Sequence, residues 1–137
     1  MEDKRGDDSL VIYGTQHPVA CPECKSPLYL RKSIYGPVYL CANWPDCSVT
    51  ASIHKDGRLK SAPAGKYQRA VRRTLHSMLD PFWQNRHNSR QIRKDVYVYM
   101  AELLHIEEFH IGFLTMEQLE KAIKLVKHEL PKKFKRF

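Results

Sequence analysis

The chain has 137 residues and a mass of 16.1 kDa, room for one domain or two very small ones and too little for a large multidomain enzyme. At 42% hydrophobic and 28% charged residues it resembles neither a disordered nor a membrane chain, and no apolar run approaches the ~20 residues that span a bilayer. Twenty-three Lys and Arg against 15 Asp and Glu give a net charge of +8. The excess is uneven: residues 1–65 carry 8 basic and 7 acidic side chains, residues 66–137 carry 15 and 8, so any attraction to polyanions belongs mainly to the C-terminal half. The opening MEDKRGDDSL is acidic and polar where a signal peptide is basic and then apolar, which points to the cytoplasm.

Taken in chain order, residues 1–9 have no apolar periodicity and predict a disordered tail, and Leu10 to Tyr13 predict a short strand. Between Cys21 and Ile53 the apolar residues fall in short runs punctuated by Pro27, Gly36, Pro37 and Pro45, which predicts strands over Leu28 to Lys32, Val38 to Cys41 and Val49 to His54. Asp56-Gly57, Pro63 and Gly65 mark a turn and a linker. The period then becomes helical. Tyr67, Ala70, Val71, Thr74, Leu75, Met78, Leu79 and Phe82 form one stripe, with Arg69, Arg72, Arg73 and His76 largely off it, and Asp80-Pro81 ends that helix. Asn88 caps a second helix with Gln91 at the capping-box position, and Thr115 caps a third with Gln118, ending at Pro131. The organisation predicted is α+β: a ribbon over 10–56, a linker over 57–65, a helical bundle of about three helices over 66–130 and a basic, frayed tail over 131–137.

All four cysteines lie between positions 21 and 47, as Cys21-x2-Cys24 and Cys41-x5-Cys47 separated by 16 residues. A reducing compartment disfavours disulfides, and two knuckles joined by a hairpin-length stretch can bring four sulfurs to the corners of a tetrahedron, the geometry of a structural zinc site. Iron or a pair of disulfides are the remaining readings; the stretched second knuckle departs from the two short CxxC pairs of a rubredoxin-like iron site. Four thiolates leave no open position for water, so the single Zn²⁺ expected here is structural.

The run CPECKSPLYLRKSIYGPVYLCANWPDCSVT resembles the zinc ribbons repeated at the C-terminus of bacterial type IA DNA topoisomerases: a Cys-Pro-x-Cys start, Leu and Arg on the next strand, Tyr35-Gly36-Pro37 at the turn, then Cys41, Trp44-Pro45 and Cys47. That resemblance implies binding of single-stranded DNA or contact with RNA polymerase. Where that family usually has glycine after the second cysteine, this chain has Lys25. The whole chain resembles a family of short bacterial and phage proteins with a zinc-finger-containing domain of unknown function, on a ribbon and linker followed by Arg72-Arg73-x2-His76-x3-Asp80-Pro81-Phe82-Trp83, Ser89-Arg90, Tyr97 to Leu103 and His110-Ile111-Gly112. This second resemblance speaks for the architecture.

Single-strand binders combine cations with aromatic faces. On the ribbon the candidates are Arg31 and Lys32 with Tyr35 in the exposed turn, while Tyr39 and Trp44 serve either as stacking faces or as the ribbon's own core. On the helices they are Arg69, Arg72, Arg73, Arg90, Arg93 and Lys94, with Lys121, Lys124 and Lys127 on the last helix; a solvated helix face is the competing reading. His76 with Asp80, and His105 and His110 around Glu107-Glu108, suggest no catalytic group, because scattered histidines more often pack or cap. The sequence therefore reads as a non-enzymatic zinc-ribbon protein binding DNA, single-stranded before duplex, or RNA. The alternative is a protein-interaction module, phage-encoded, that docks on a host nucleic-acid enzyme such as RNA polymerase.

Overall fold

Gly65 separates short alternating apolar runs from i, i+3, i+4 spacing, and the architecture follows that change. The structure, a computed structural model, describes residues 20–34 and 36–135 and divides between Arg69 and Ala70 into two compact units. It is α+β, as the sequence implies. The segments expected as a tail over 1–9 and a strand over Leu10 to Tyr13 lie outside the described residues, as do Tyr35 and the last two positions.

In the first unit β1 (Leu28–Ser33), β2 (Gly36–Cys41) and β3 (Thr50–Ser52) form an antiparallel sheet in that order. Leu28 lies opposite Cys41, Leu30 opposite Tyr39, and Tyr39 opposite Ala51. Because side chains alternate across a strand, these residues share one face, and with Cys21, Val49 and Ile53 they make the core. Tyr39 is fully buried there, which resolves its two readings in favour of packing; Trp44 remains 40% exposed. Tyr29 and Arg31 point to the other face together with Val38 and Leu40, all half-buried. The β1–β2 turn is closed by the Ser33 hydroxyl donating to the Gly36 carbonyl (2.6 Å), and Gly36 at φ +110° takes a backbone conformation that a side chain would strain. Residues 57–65 run back along β3, bridging Leu59 to Ile53 and Ala64 to Thr50.

The second unit holds most of α1 (Lys66–Leu79), α2 (Ser89–Leu104), α3 (Met116–His128) and a single turn, α4 (Leu130–Lys133). Leu75, Leu79, Phe82, Val96, Met100, Leu119, Ala122 and Leu130 form the centre of its core. Asp80-Pro81 ends α1 as expected, in one 3₁₀ turn that buries Phe82, with Trp83 9% exposed beside it. Four sequence expectations need correction. Tyr67 is 69% exposed and off the stripe, whereas Arg72 is on it, because positions 72, 75 and 79 stand at i, i+3 and i+7. Asn88 begins α2, but its side chain makes no capping bond, and the Gln91 amide donates to Asp95 (2.8 Å) instead of reaching back. Pro131 does not end the helical region: it opens α4, where a missing N–H is harmless. Nor are residues 132–135 loose, since Phe134 packs edge-on against Tyr99 and Arg86 donates to the Lys135 carbonyl (2.8 Å).

Thr115 does form the capping box, its hydroxyl accepting from the Gln118 N–H (3.1 Å) while the Gln118 side chain accepts from the Thr115 N–H (2.9 Å). Replacing Thr115 with Ala removes the hydroxyl that accepts from the Gln118 N–H while leaving the residue-115 N–H in place, and is expected to destabilise the second unit by about 1 kcal/mol, read as a lower urea midpoint at unchanged slope; an unchanged midpoint would mean that the hydroxyl's cap contributes nothing.

Candidate metal centre

Each knuckle is a turn whose backbone bonds hold the cysteines before any metal is considered. In the first, the Lys25 N–H donates to the Cys21 carbonyl (2.9 Å) and the Cys21 N–H to the Ser26 carbonyl (2.7 Å). In the second, Trp44 N–H donates to the Cys41 carbonyl and Cys47 N–H to the Asn43 carbonyl, both at 2.9 Å. Lys25 sits at φ +67°, the left-handed conformation for which glycine is best suited. The left-handed turn is thus made with a lysine.

The four sulfur atoms lie within 4.8 Å of one another, with Cys24 Sγ 3.4 Å from Cys41 Sγ and Cys21 Sγ 3.6 Å from Cys47 Sγ. A tetrahedron with sulfur at ~2.3 Å from its centre has edges of about 3.8 Å, so the four donors already fit a tetrathiolate ion. Among the described residues no other group of three or more His, Cys, Asp or Glu side chains comes close enough to share a metal. His76, Asp80, His105 and His110 form no such group.

The environment treats the thiols unequally. The Cys24 thiol is brought down to about 6, first by hydrogen bonds from the Ser26 side chain and backbone and then by Asn43. Burial pushes the Cys41 thiol up to about 12. The Asn43 amide donates to both Cys24 Sγ (3.4 Å) and Ser26 Oγ (2.8 Å), and backbone N–H groups of Glu23, Cys24 and Asn43 donate to Cys21 and Cys41 sulfurs at 3.4–3.5 Å. Sequence reading missed Asn43 and Ser26. Their signal was positional: each is the polar residue two places after a knuckle cysteine.

The knuckles also hold the start of α1. The Ser48 hydroxyl, next to Cys47, accepts from the Lys66 N–H (2.9 Å), which satisfies one of the helix's free amides. Glu23, inside the first knuckle, lies so near Gly65 that a Cβ there would meet its Oε2 at 2.5 Å and Ser48 Oγ at 3.1 Å, so a side chain at this position would displace the Glu23 carboxylate. Arg69 donates from Nη1 to the carbonyls of Ser48 (2.8 Å) and Ala64 (2.6 Å). Of the cations nominated from sequence, Arg69 is thus committed to backbone carbonyls and Arg72 is buried; Arg31 is half-buried, and Lys32, Arg73, Arg90, Arg93 and Lys94 are exposed.

Two outcomes follow from this geometry. Metal uptake requires thiolates, so the proton on Cys41 must leave at neutral pH while Cys24 has already lost its own. Affinity is therefore expected to rise with pH between about 6 and 12, and uptake to acidify a weakly buffered solution; a pH-indicator titration with no proton release would contradict the assignment. Asn43→Ala removes the donor to Cys24 and is expected to weaken metal affinity by about tenfold in a chelator competition, with Cys41→Ser abolishing stoichiometric binding while most helical ellipticity persists.

DNA topoisomerase 1 of Methanocaldococcus jannaschii is 46% identical to this chain over 35 residues, which make up 26% of this chain and 5% of that protein. No solved structure matches the chain. A family of zinc-finger-containing domains matches residues 12–129, across both units. The four-thiol cluster and this match agree, and the chain belongs to the family of zinc-finger-containing domains.

Proposed function

We propose that this is a non-enzymatic nucleic-acid-binding protein whose ribbon, held by one structural zinc ion, engages single-stranded DNA in preference to duplex. The observation that carries the reading is the segment shared with a DNA topoisomerase, joined to a four-thiol cluster whose spacing fits a closed zinc site. When bound, the ion cross-links the two knuckles; it contributes to folding and leaves no coordination position for substrate. On the ribbon, Arg31 and Lys32 supply cations, Tyr29 shares the half-buried sheet face with Arg31, and Trp44 is an exposed ring available for stacking, worth ~1–3 kcal/mol per base in such proteins. Tyr35 belongs to this proposed set by sequence.

Docking on a host nucleic-acid enzyme is the second reading, favoured by Ile34, which is 89% exposed beside the hairpin turn in the same unit as Trp44. Fluorescence anisotropy of labelled single- and double-stranded DNA with the zinc-loaded protein at several salt concentrations separates them. The first reading expects micromolar or tighter binding to the single strand that weakens steeply with salt. No binding at low salt, together with salt-tolerant capture of RNA polymerase lost in Ile34→Ser, would establish the second instead.

A further inference from the structure

Arg90, Arg93 and Lys94 occupy the first two turns of α2, and their i, i+3 and i, i+4 spacings bring them side by side. All three are exposed, and among the described residues none makes an ion pair or a hydrogen bond. The nearest acid on the helix, Asp95, already accepts from Gln91. The first turn of α2 carries no acidic residue, and Arg90 stands there at the end of the helix where its dipole disfavours positive charge. Helix stability does not account for Arg90.

Arg93 differs from an ordinary solvated arginine. Its guanidinium carbon lies 5.2 Å from the Tyr97 ring centre and 5.9 Å from that of Trp83, and those rings meet edge-on at 5.9 Å. Tyr97 in turn meets Phe109 edge-on at 5.1 Å, and Trp83 and Phe109 are core residues. The cation therefore rests against rings that the core fixes, which narrows where its guanidinium stands. A guanidinium fork suits the paired oxygens of a phosphate, and three adjacent uncompensated cations suit a chain of phosphates better than a single carboxylate.

We propose that Arg90, Arg93 and Lys94 form a contact surface for the phosphate backbone of single-stranded DNA, with Arg93 resting against the Trp83 and Tyr97 rings. The inference rests on the nucleic-acid reading above and adds to it a binding surface in the second unit. It also specifies what each unit contributes: this surface contacts phosphates alone, and the ribbon supplies the stacking together with Arg31 and Lys32.

The test uses the zinc-loaded full chain and labelled oligothymidylate. Arg90→Gln with Lys94→Gln removes two exposed cations that touch nothing in the fold, and should flatten the log–log salt dependence of affinity by about 1.4, at ~0.7 per lost single-strand contact. The chain has two tryptophans, so at DNA concentrations that saturate the Trp44→Phe variant by anisotropy, the emission of Trp83 reports on the Arg93 platform and should differ from that of the free variant. Parent protein that binds while the double variant keeps the parent slope and Trp83 stays silent would overturn this surface and leave the ribbon reading intact. Parent protein that does not bind DNA at all would overturn both. A double variant that binds DNA normally but loses binding to polyglutamate would assign the surface to an acidic protein and overturn the proposal.

Discussion

Four sulfur atoms drawn from two distant turns are the constraint on which the first unit depends. Without its cysteines, the buried core there is Leu28, Tyr39, Val49, Ala51 and Ile53, five side chains closing a sheet whose third strand is only three residues long. So little apolar surface leaves a ribbon of this size short of a self-sufficient core. A metal cross-link between residues 21 and 47 changes that balance in two ways: it adds binding energy to the folded state and gathers both ends of the hairpin at one point. The unequal thiols suit this role. Cys24, exposed and supplied with donors, is the ligand ready to meet an ion, whereas buried Cys41 releases its proton only when one is present.

The knuckles do more than hold a metal. Ser48 follows Cys47 and Glu23 sits between Cys21 and Cys24, so the residues that satisfy and crowd the first turn of α1 are fixed by the ligand positions themselves. Arg69 closes the same junction through the Ser48 and Ala64 carbonyls. An arginine that sequence periodicity assigns to an outward, phosphate-facing surface is thereby drawn into a structural role. Its two acceptors come from segments 5 and 21 residues away, a distance in sequence that no helical pattern can reveal.

The same distinction between local and distant determinants explains what was legible before the fold was known. The strands, the three long helices, the Thr115 capping box and the grouping of four cysteines all follow from spacing within a short stretch of chain. Tyr67, Arg72, Asn88 and the region after Pro131 were misjudged because each depends on what lies across from it. Tyr67 belongs to an apolar stripe by period yet faces solvent, and the Asn88 side chain makes no bond to the amides it could have capped. Leu130 anchors a last turn that composition marks as a frayed basic tail, because Phe134 and Arg86 find partners, Tyr99 and the Lys135 carbonyl, more than thirty residues away. At the metal site the ligands were legible and Asn43 was not: its place two residues after Cys41 marks it as near the knuckle, but not that its amide reaches both Cys24 and Ser26 across the site.

Charge is distributed by the same logic. Net charge alone treats every Lys and Arg of the basic C-terminal half as equivalent, but the fold sorts them. Arg69 and Arg86 donate to backbone carbonyls, Arg72 is buried, Lys132 lies 3.4 Å from Glu129, and Lys133 stacks on Tyr99 with its ammonium 4.5 Å from the ring centre. What remains exposed and without an ion pair on α2 is a compact group of three cations, one of them resting against aromatic rings. A polyanion would meet a field that these three set together with the exposed Arg73, Lys121, Lys124 and Lys127, because committed cations have already lost much of their freedom to reorient toward a new partner. The functional reading of a basic half-chain therefore depends less on the size of its charge than on which of its cations folding leaves free.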